Sequence, residues 1–243
     1  MATIKQNTIA IYRYSKYAVK MLIALPKPKV LFSIVYNFPI WLKYIDPKRN
    51  SVDDQQPWLT FSAIRFLKKM VNKNMMVYEW GSGGSTLFWS NHAAKVVSIE
   101  HDRNWFYKLQ HVLQAKENVT YELIEPAFDN AYNSALVADY KICVSKDPDF
   151  YGYNFNDYVS DIDKYSGDSF DMIVVDGRAR PACVFHAIKK IKPGGYLLLD
   201  NSEREHYQPA IQLLENQGWK RFDFYGPAPY AYDFSVTSFF RRF

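Results

Sequence analysis

The sequence predicts an α/β protein with a doubly wound, mostly parallel seven-stranded sheet, an antiparallel last strand and a helical extension at the amino terminus. Short apolar runs alternate with amphipathic stretches from residue 60 onward, and this alternation specifies a parallel sheet with helices on both faces. Four of the runs end at an acid: Glu79, Glu100, Asp176 and Asp200. The last two runs have no helix-sized interval between them, so we expect them to pair antiparallel.

The first half of the body supplies three strands and three helices. Residues 61–71 place apolar side chains at positions 61, 64, 67 and 71, which is the spacing of an amphipathic helix. Residues 75–78, 96–99 and 119–124 are short apolar runs that predict strands, the first of them buried. The intervals 85–92 and 104–115 predict helices, and a glycine-rich turn at 81–84 precedes the first of them.

The second half supplies the remaining strands. Residues 170–175 and 196–199 predict buried strands, separated by a helix over 181–191 and a turn at Gly194 and Gly195. Residues 209–216 predict a helix, because Pro209 suits its first turn and Gly218 its end. Residues 220–225 and 234–241 predict the closing antiparallel pair.

Residues 126–168 interrupt this alternation. They hold six Tyr and three Phe among eight Asp and three Lys. Insertions of this length in compact domains are functional lids or disordered segments, and nine aromatic rings argue against disorder. We therefore expect a domain over residues 58–243 that carries an aromatic lid over 126–168.

Residues 1–57 form a basic, apolar extension. Two apolar runs, 21–25 and 30–42, flank a Pro-Lys-Pro-Lys break, and the longer run of 13 residues is too short to span a bilayer. One interpretation is a helical extension packed on the body, or a dimerisation arm. The other is a membrane-surface patch with Tyr36, Phe38 and Trp41 at headgroup depth.

Charge and cysteine usage exclude several classes of protein. Residues 1–50 hold nine Lys or Arg and one acid, so the remaining residues carry −3 of the total charge of +5. A mildly acidic body argues against a nucleic-acid partner. The two cysteines, Cys143 and Cys183, form no metal-binding pattern, and free thiols predict a reducing compartment such as the cytoplasm.

The turn after the first strand carries the chemistry. Glycines allow the backbone to approach a ligand closely, but a dinucleotide-binding loop would place a third glycine at position 86, where this chain has Thr86. Glu79 precedes the loop, and an acid there repels a pyrophosphate but suits a ligand with an ammonium and a sulfonium group.

On these residues the chain resembles the class I S-adenosylmethionine-dependent methyltransferases, which have a Rossmann-like fold, and among them the O-methyltransferases. The first motif of that family is an acid followed by G-x-G, matched by Glu79, Gly81 and Gly83, with Ser85 where many members have a third glycine. The resemblance extends from about residue 58 to the carboxyl terminus and includes Glu100 at the second strand.

The resemblance implies a role for each matching residue. Glu79 and the backbone of Gly81, Ser82 and Gly83, with Ser85, would hold the amino-acid end of the cofactor. Glu100 would accept hydrogen bonds from both ribose hydroxyls. His101 would lie beside the adenine, and Asp176 next to the reacting methyl group.

The acceptor side allows two chemistries. Asp176, Asp200 and Asn201 are similar to the ligands of metal-dependent O-methyltransferases, in which Mg²⁺ lowers the pKa of an acceptor hydroxyl. Alternatively, Asp176 acts as a base without metal and Asp200 with Asn201 only shapes a turn. His206 is a further candidate base, and Arg178, Arg180 and Arg204 either neutralise the acids or clamp an anionic group on the acceptor.

The resemblance therefore implies S-adenosylmethionine-dependent methyl transfer, and we expect the acceptor to be a hydroxyl of a small molecule or glycan unit. Two alternatives remain open. One is a nicotinamide-dependent oxidoreductase on the same sheet, and the other is a catalytically silent module that keeps the cofactor site.

Overall fold

A computed structural model describes residues 4–243. The chain begins with two helices, α1 (Ile4–Ala24) and α2 (Pro28–Tyr44). α1 ends just before the Pro-Lys-Pro-Lys break, and α2 begins within it, with Pro28 in its first turn. The predicted helical extension is therefore present. Within residues 4–243, no helix combines the length and the apolar character that a membrane span requires.

The body alternates strands and helices as predicted. Its first half contains α3 (Phe61–Met70), β1 (Met76–Trp80), α4 (Gly84–His92), β2 (Lys95–Glu100), α5 (Arg103–Leu113) and β3 (Val119–Leu123). Its second half contains β6 (Phe170–Val175), α7 (Arg180–Ala187), β7 (Ile191–Leu199), α8 (Gln208–Asn216), β8 (Lys220–Pro227) and β9 (Phe234–Arg241).

The seven main strands form one sheet in the order β3-β2-β1-β6-β7-β9-β8. All pairings are parallel except those of β9 with β7 and with β8. The last strand alone is thus antiparallel to the rest, and the predicted fold class is confirmed. The order also places β1 and β6 at the centre, between β2 and β7.

Side chains alternate between two cores on the two faces of the sheet. Val77 faces the core that contains α3 and α4, whereas Tyr78 faces the core that contains α7 and α8. The same alternation separates Val174 from Val175 on β6. This period of two is the geometry of a strand buried on both sides, and it accounts for the continuous apolar runs in the sequence.

The structure corrects one predicted turn. Gly194 and Gly195 lie inside β7, which begins at Ile191 and not at residue 196. Backbone hydrogen bonds to Arg242 hold both glycines in the sheet, and the pairing with β6 shifts register between Phe170 and Met172. The irregularity is therefore a bulge in a longer strand.

The insertion folds as short elements against the rim of the sheet. It contains β4 (Ala127–Phe128) paired with β5 (Tyr153–Asn154), and α6 (Asn156–Ser160). Phe155 and Tyr158 are fully buried in the same core as α7. These two aromatic residues of the insertion therefore belong to the core of the body.

The extension packs over the antiparallel edge of the sheet. Trp41 is fully buried and donates from its indole nitrogen to the carbonyl of Ala231 at 2.8 Å. Tyr14 donates to the carbonyl of Ile34 at 2.6 Å and joins α1 to α2. Ser33 of α2 donates to the carbonyl of Tyr225 in β8 at 2.5 Å, so α2 packs against β8.

Candidate active site

The acids that end the strands lie along one rim of the sheet. Trp80 pairs with Ile99 on one side and with Val175 on the other, and Val175 pairs with Leu199. The carboxyl ends of β2, β1, β6 and β7 are therefore neighbours. Glu100, Glu79, Asp176 and Asp200 follow one another along this rim, which is where ligands bind in open α/β sheets.

Two glycines let the loops after β1 and β6 touch. Gly81 has φ +91°, and a side chain there would lie 2.8 Å from the Cα of Gly177. A side chain at Gly177 would lie 1.9 Å from the hydroxyl of Tyr158 in the insertion. Glycine at both positions thus lets the first loop, the fourth parallel strand and the insertion meet at one point.

Glu100 organises the floor of the site. Its Oε2 accepts from the backbone N–H of Ser82 at 3.0 Å and from the Ser82 hydroxyl at 2.6 Å. Its Oε1 accepts from the backbone of His101 and Asp102 and lies 2.9 Å from His101 Nδ1. Burial alone would raise the pKa of Glu100, but these contacts outweigh it and lower the pKa to about 2. The residue is therefore a fixed anion at neutral pH.

Glu79 lies beneath the glycine-rich loop and not on its open side. It is fully buried and accepts hydrogen bonds from Thr86, Ser98 and Trp89. Burial raises its pKa to about 7, although these bonds and one from Ser85 oppose the rise. In this position Glu79 supports the start of α4, and its predicted contact with the cofactor stays a prediction.

A cleft opens above the loop, and we call it the acidic cleft. It has a volume of about 390 Å³, and its wall includes Gly81, Ser82, Glu100, His101, Asp102, Trp105, Asp149, Phe150, Asp176 and Arg178. The loop is tied to the wall, because the Trp105 indole donates to the Ser82 carbonyl at 2.9 Å. The His101 ring packs 5.1 Å from Phe150 of the insertion. Four carboxylates and one guanidinium give this cleft a negative potential.

The acceptor side of the rim is organised by Arg180, which is buried. Its guanidinium donates to the backbone carbonyls of Gly177, Asp176 and Asp200 at 2.7–3.0 Å. It also lies 3.0 Å from the Asp176 carboxylate and donates to Asn201 Oδ1 at 3.3 Å. One side chain therefore joins all three of the residues that resemble a metal-binding set.

The two acids held there resist ionisation. Burial raises the pKa of Asp176 to about 6, against the attraction of Arg180. Burial, with repulsion from Asp176, raises the pKa of Asp200 to about 7, although Thr237 donates to it at 2.6 Å. The pKa values of both carboxyl groups therefore lie near neutral pH, and a general base is most effective when its pKa is close to the working pH.

The residues present do not fit the predicted Mg²⁺ ion. The negative charge of Asp176, which a divalent cation would neutralise, is already paired with the guanidinium of Arg180. The Asn201 amide oxygen already accepts a hydrogen bond from the same guanidinium. Across residues 4–243, moreover, no three His, Cys, Asp or Glu side chains converge as a metal-ligand group.

Two further cavities adjoin the acidic cleft. A polar cavity of about 320 Å³ includes Asp176, Asp200, Asn201, Trp58 and Arg204 in its wall. A second one of about 540 Å³, which we call the cationic cavity, lies between the insertion and the rim and includes Lys146, Arg178, Arg180, Arg204 and His206. Asp176 is shared by the cleft and the polar cavity, and Arg178 by the cleft and the cationic cavity.

His206 lies apart from the two acids, in the cationic cavity. Burial, together with the charges of Lys146, Arg204 and Arg180, lowers its pKa to about 4. The imidazole is therefore neutral at physiological pH. A base this weak removes a hydroxyl proton poorly, so the structure favours Asp176 over His206 for that role.

Sequence reasoning missed two features of the site. It treated Arg180 as one of three equivalent arginines, and local spacing could not single it out, because residues 176–179 form a loop and Arg180 only begins α7. It also did not assign Asp149 and Phe150 to the cofactor side, since the position of a long insertion is not encoded in local patterning.

Comparison with known proteins adds architecture only. No family model and no curated protein matches this sequence. Among solved structures, similar ones include precorrin-6y C5,15-methyltransferase from Geobacter metallireducens (12% identity, 79% of this chain and 100% of that chain, TM-score 0.49). An rRNA methylase from Streptococcus thermophilus (12%, 77% and 98%, 0.48) and Aeropyrum pernix fibrillarin with bound S-adenosyl-L-methionine (13%, 70% and 67%, 0.43) are also similar. At these values the likeness concerns the fold alone and says nothing about ligands.

Proposed function

We propose that this protein transfers a methyl group from S-adenosylmethionine to a hydroxyl of a small molecule or glycan unit. The observation that carries the proposal is the charge of the cleft at the glycine-rich loop. Glu100, Asp102, Asp149 and Asp176 surround it, with Arg178 as the one opposing charge among its wall residues. A ligand with a sulfonium and an ammonium group is attracted there, whereas the pyrophosphate of a nicotinamide dinucleotide is repelled.

The remaining contacts suit the parts of that ligand. The Glu100 carboxylate, fixed as an anion, can exchange its bond from the Ser82 hydroxyl for bonds from ribose hydroxyls. His101 and Phe150 offer ring faces beside it for an adenine. Bound S-adenosylmethionine supplies a methyl group that is already activated by the positive sulfur.

The protein then has to orient the acceptor and remove its proton. Asp176 suits this role because it belongs to both the acidic cleft and the polar cavity. As the acceptor oxygen bonds to the methyl carbon, the carbon–sulfur bond breaks and its electron pair stays on sulfur. The hydroxyl proton passes to the Asp176 carboxylate, whose raised pKa improves it as a base.

The test is calorimetric titration with S-adenosylmethionine, S-adenosylhomocysteine and NADH. We expect micromolar affinity for the first two, none for NADH, and about a ten-fold loss or more in Glu100→Gln, because one charge-assisted site is removed. Glu117→Gln, an exposed acid in the turn before β3, is the matched control and should bind like the wild type. Binding of NADH alone would overturn the proposal.

An acceptor screen separates the enzyme from a catalytically silent module. Asp176→Asn keeps the shape of the side chain and removes its basicity. We expect it to retain cofactor affinity within about three-fold and to lose at least about 100-fold in kcat, the usual contribution of general base catalysis. An unchanged kcat would refute the role of Asp176.

A further inference from the structure

We propose that the cationic cavity binds an oxyanion, a phosphate or carboxylate, on the acceptor. The inference deepens the proposed function and rests on it for the identity of the acceptor. The observation is a separation of charge across Arg178. The acidic cleft lies on one side of it, and a cavity with three further cations, Lys146, Arg180 and Arg204, lies on the other.

The cations of this cavity differ in how far they are already paired. Arg178 lies 2.8 Å from Asp147, and Arg180 is taken up by Asp176 and three backbone carbonyls. Lys146 and Arg204, by contrast, have no carboxylate within 4.0 Å among residues 4–243. Arg204 makes a hydrogen bond to the Tyr207 hydroxyl at 3.2 Å. Two unneutralised cations facing one cavity are a site for an anion.

His206 lies in the wall of this cavity, so its pKa responds to the charges there. The charged groups that line the cavity with it are Lys146, Arg178, Arg180 and Arg204, opposed by Asp147 and Glu205. An anion that binds beside His206 stabilises its protonated form, so binding must raise the pKa of this histidine. The effect gives a local signal that does not depend on enzymatic turnover.

The experiment is an NMR titration of the histidine ring protons with inorganic phosphate, and in a second arm with acetate. We expect a saturable shift of the His206 signal and a higher His206 pKa at saturation, with His92 and His186 unaffected. Lys146→Gln combined with Arg204→Gln should weaken phosphate binding about ten-fold, or about 1.4 kcal/mol. Lys69→Gln, an exposed lysine on α3, is the control.

Each outcome decides the matter. A linear, non-saturating shift, or equal affinity in the double variant and the control, overturns the anion site. Stronger binding of acetate than of phosphate identifies a carboxylate on the acceptor instead of a phosphate. If the protein binds S-adenosylmethionine but not phosphate, the anion site is wrong and the proposed function stands. If it binds phosphate but not S-adenosylmethionine, the proposed function is wrong.

A separate observation concerns the outer face of the extension. On α2 the inner residues Val30, Ile34 and Trp41 are buried, whereas the opposite side exposes large apolar side chains: Leu31, Phe32, Val35, Tyr36 and Ile40. Phe32 and Val35 are 67% and 65% exposed, and the Phe32 and Tyr36 rings stack at 5.4 Å. On α1, Tyr12, Val19 and Ile23 are exposed as well. Apolar surface of this extent marks an interaction site.

We infer that this face binds a membrane surface that contains anionic lipid. The choice of occupant rests on charge, because α1 and α2 contain no Asp or Glu, and Lys16 and Lys20 on α1 and Lys43 on α2 are exposed. A second copy would bring the same charge against it, whereas an anionic bilayer attracts it. Aromatic and aliphatic side chains flanked by lysines are the composition of a helix that lies in the interface.

Vesicle sedimentation tests this inference. We expect binding to vesicles of phosphatidylcholine with phosphatidylserine, weaker binding to phosphatidylcholine alone, and release as salt rises from about 0.1 M to about 0.5 M. Phe32→Ser combined with Val35→Ser should weaken binding about ten-fold. Tyr107→Ser, which removes an equally exposed ring on α5, is the control and should bind normally.

Light scattering on the same proteins identifies the competing occupant. A dimer that the Phe32→Ser and Val35→Ser variant converts to a monomer, without vesicle binding by the wild type, assigns the face to a second copy and overturns the membrane inference. Absence of vesicle binding in a monomeric wild type overturns it as well.

Discussion

Asp200→Asn should stabilise the protein at alkaline pH and not at acid pH. Asp200 is 5% exposed, and its carboxyl group accepts from the Thr237 hydroxyl at 2.6 Å. Burial and the nearby Asp176 raise its pKa to about 7. Asparagine keeps the oxygen that accepts from Thr237 and removes the charge, so the substitution isolates the cost of ionising this position.

The magnitude follows from the displaced pKa. A folded-state pKa of about 7, against about 3.9 in the unfolded chain, means that the unfolded state ionises first as pH rises. The free energy of unfolding therefore falls from about pH 4 and continues to fall through pH 7, with a ceiling of about 4 kcal/mol at 1.36 kcal/mol per pKa unit. Relaxation around a buried charge reduces such costs, and we expect Asp200→Asn to gain about 2 kcal/mol at about pH 8.

The assay is urea denaturation followed by tryptophan fluorescence at several pH values. The gain should shrink as pH falls and vanish at about pH 3, where the wild-type carboxyl is protonated in both states. Asp223→Asn is a control of opposite sign. Burial favours the neutral form of Asp223, but hydrogen bonds from Ser238, Arg221 and Tyr225 outweigh burial and lower its pKa. The same substitution at Asp223 should therefore destabilise the protein at about pH 8. Equal effects of Asp200→Asn at both pH values would refute the reasoning.

Three further predictions concern the loop, the cationic cavity and the metal. Gly81→Ala should lower the free energy of unfolding by about 1–3 kcal/mol, because of its φ of +91° and the close Gly177 backbone, whereas Gly83→Ala has open space and should stay within about 0.5 kcal/mol in urea titrations. The folded-state pKa of His206 is lowered to about 4, so stability should be lost as pH falls from about 6.5 to about 4, and His206→Gln should flatten that part of the denaturation profile. Because Arg180 occupies the centre of the proposed metal set, EDTA should leave methyl transfer within about two-fold of its starting rate; a rate restored only by Mg²⁺ would contradict this.

The strands and helices of the body were accessible to sequence reasoning because their patterning is local. The apolar run over β6 has a period and a length that predict a buried strand, and the structure places it at residues 170–175. The bulge in β7 was not accessible. Lys192 and Pro193 break the apolar pattern. The segment is kept in the sheet by long-range backbone contacts: Gly194 N–H donates to the Arg242 carbonyl, the Gly195 carbonyl accepts from Arg242 N–H, and Ile191 pairs with Phe170.

The sequence by itself determined the fold class, the rim of acids and the charge difference between extension and body, because periodicity, strand ends and charge are properties of neighbouring residues. Tertiary structure decided which charges meet. Strand order brings Asp200 beside Asp176, and Arg180 then takes the place that the sequence pattern assigned to a metal. The same packing carries Asp149 and Lys146 of the insertion to opposite cavities. Electrostatic contacts depend on distances through space, and these follow from the assembled sheet and not from spacing along the chain.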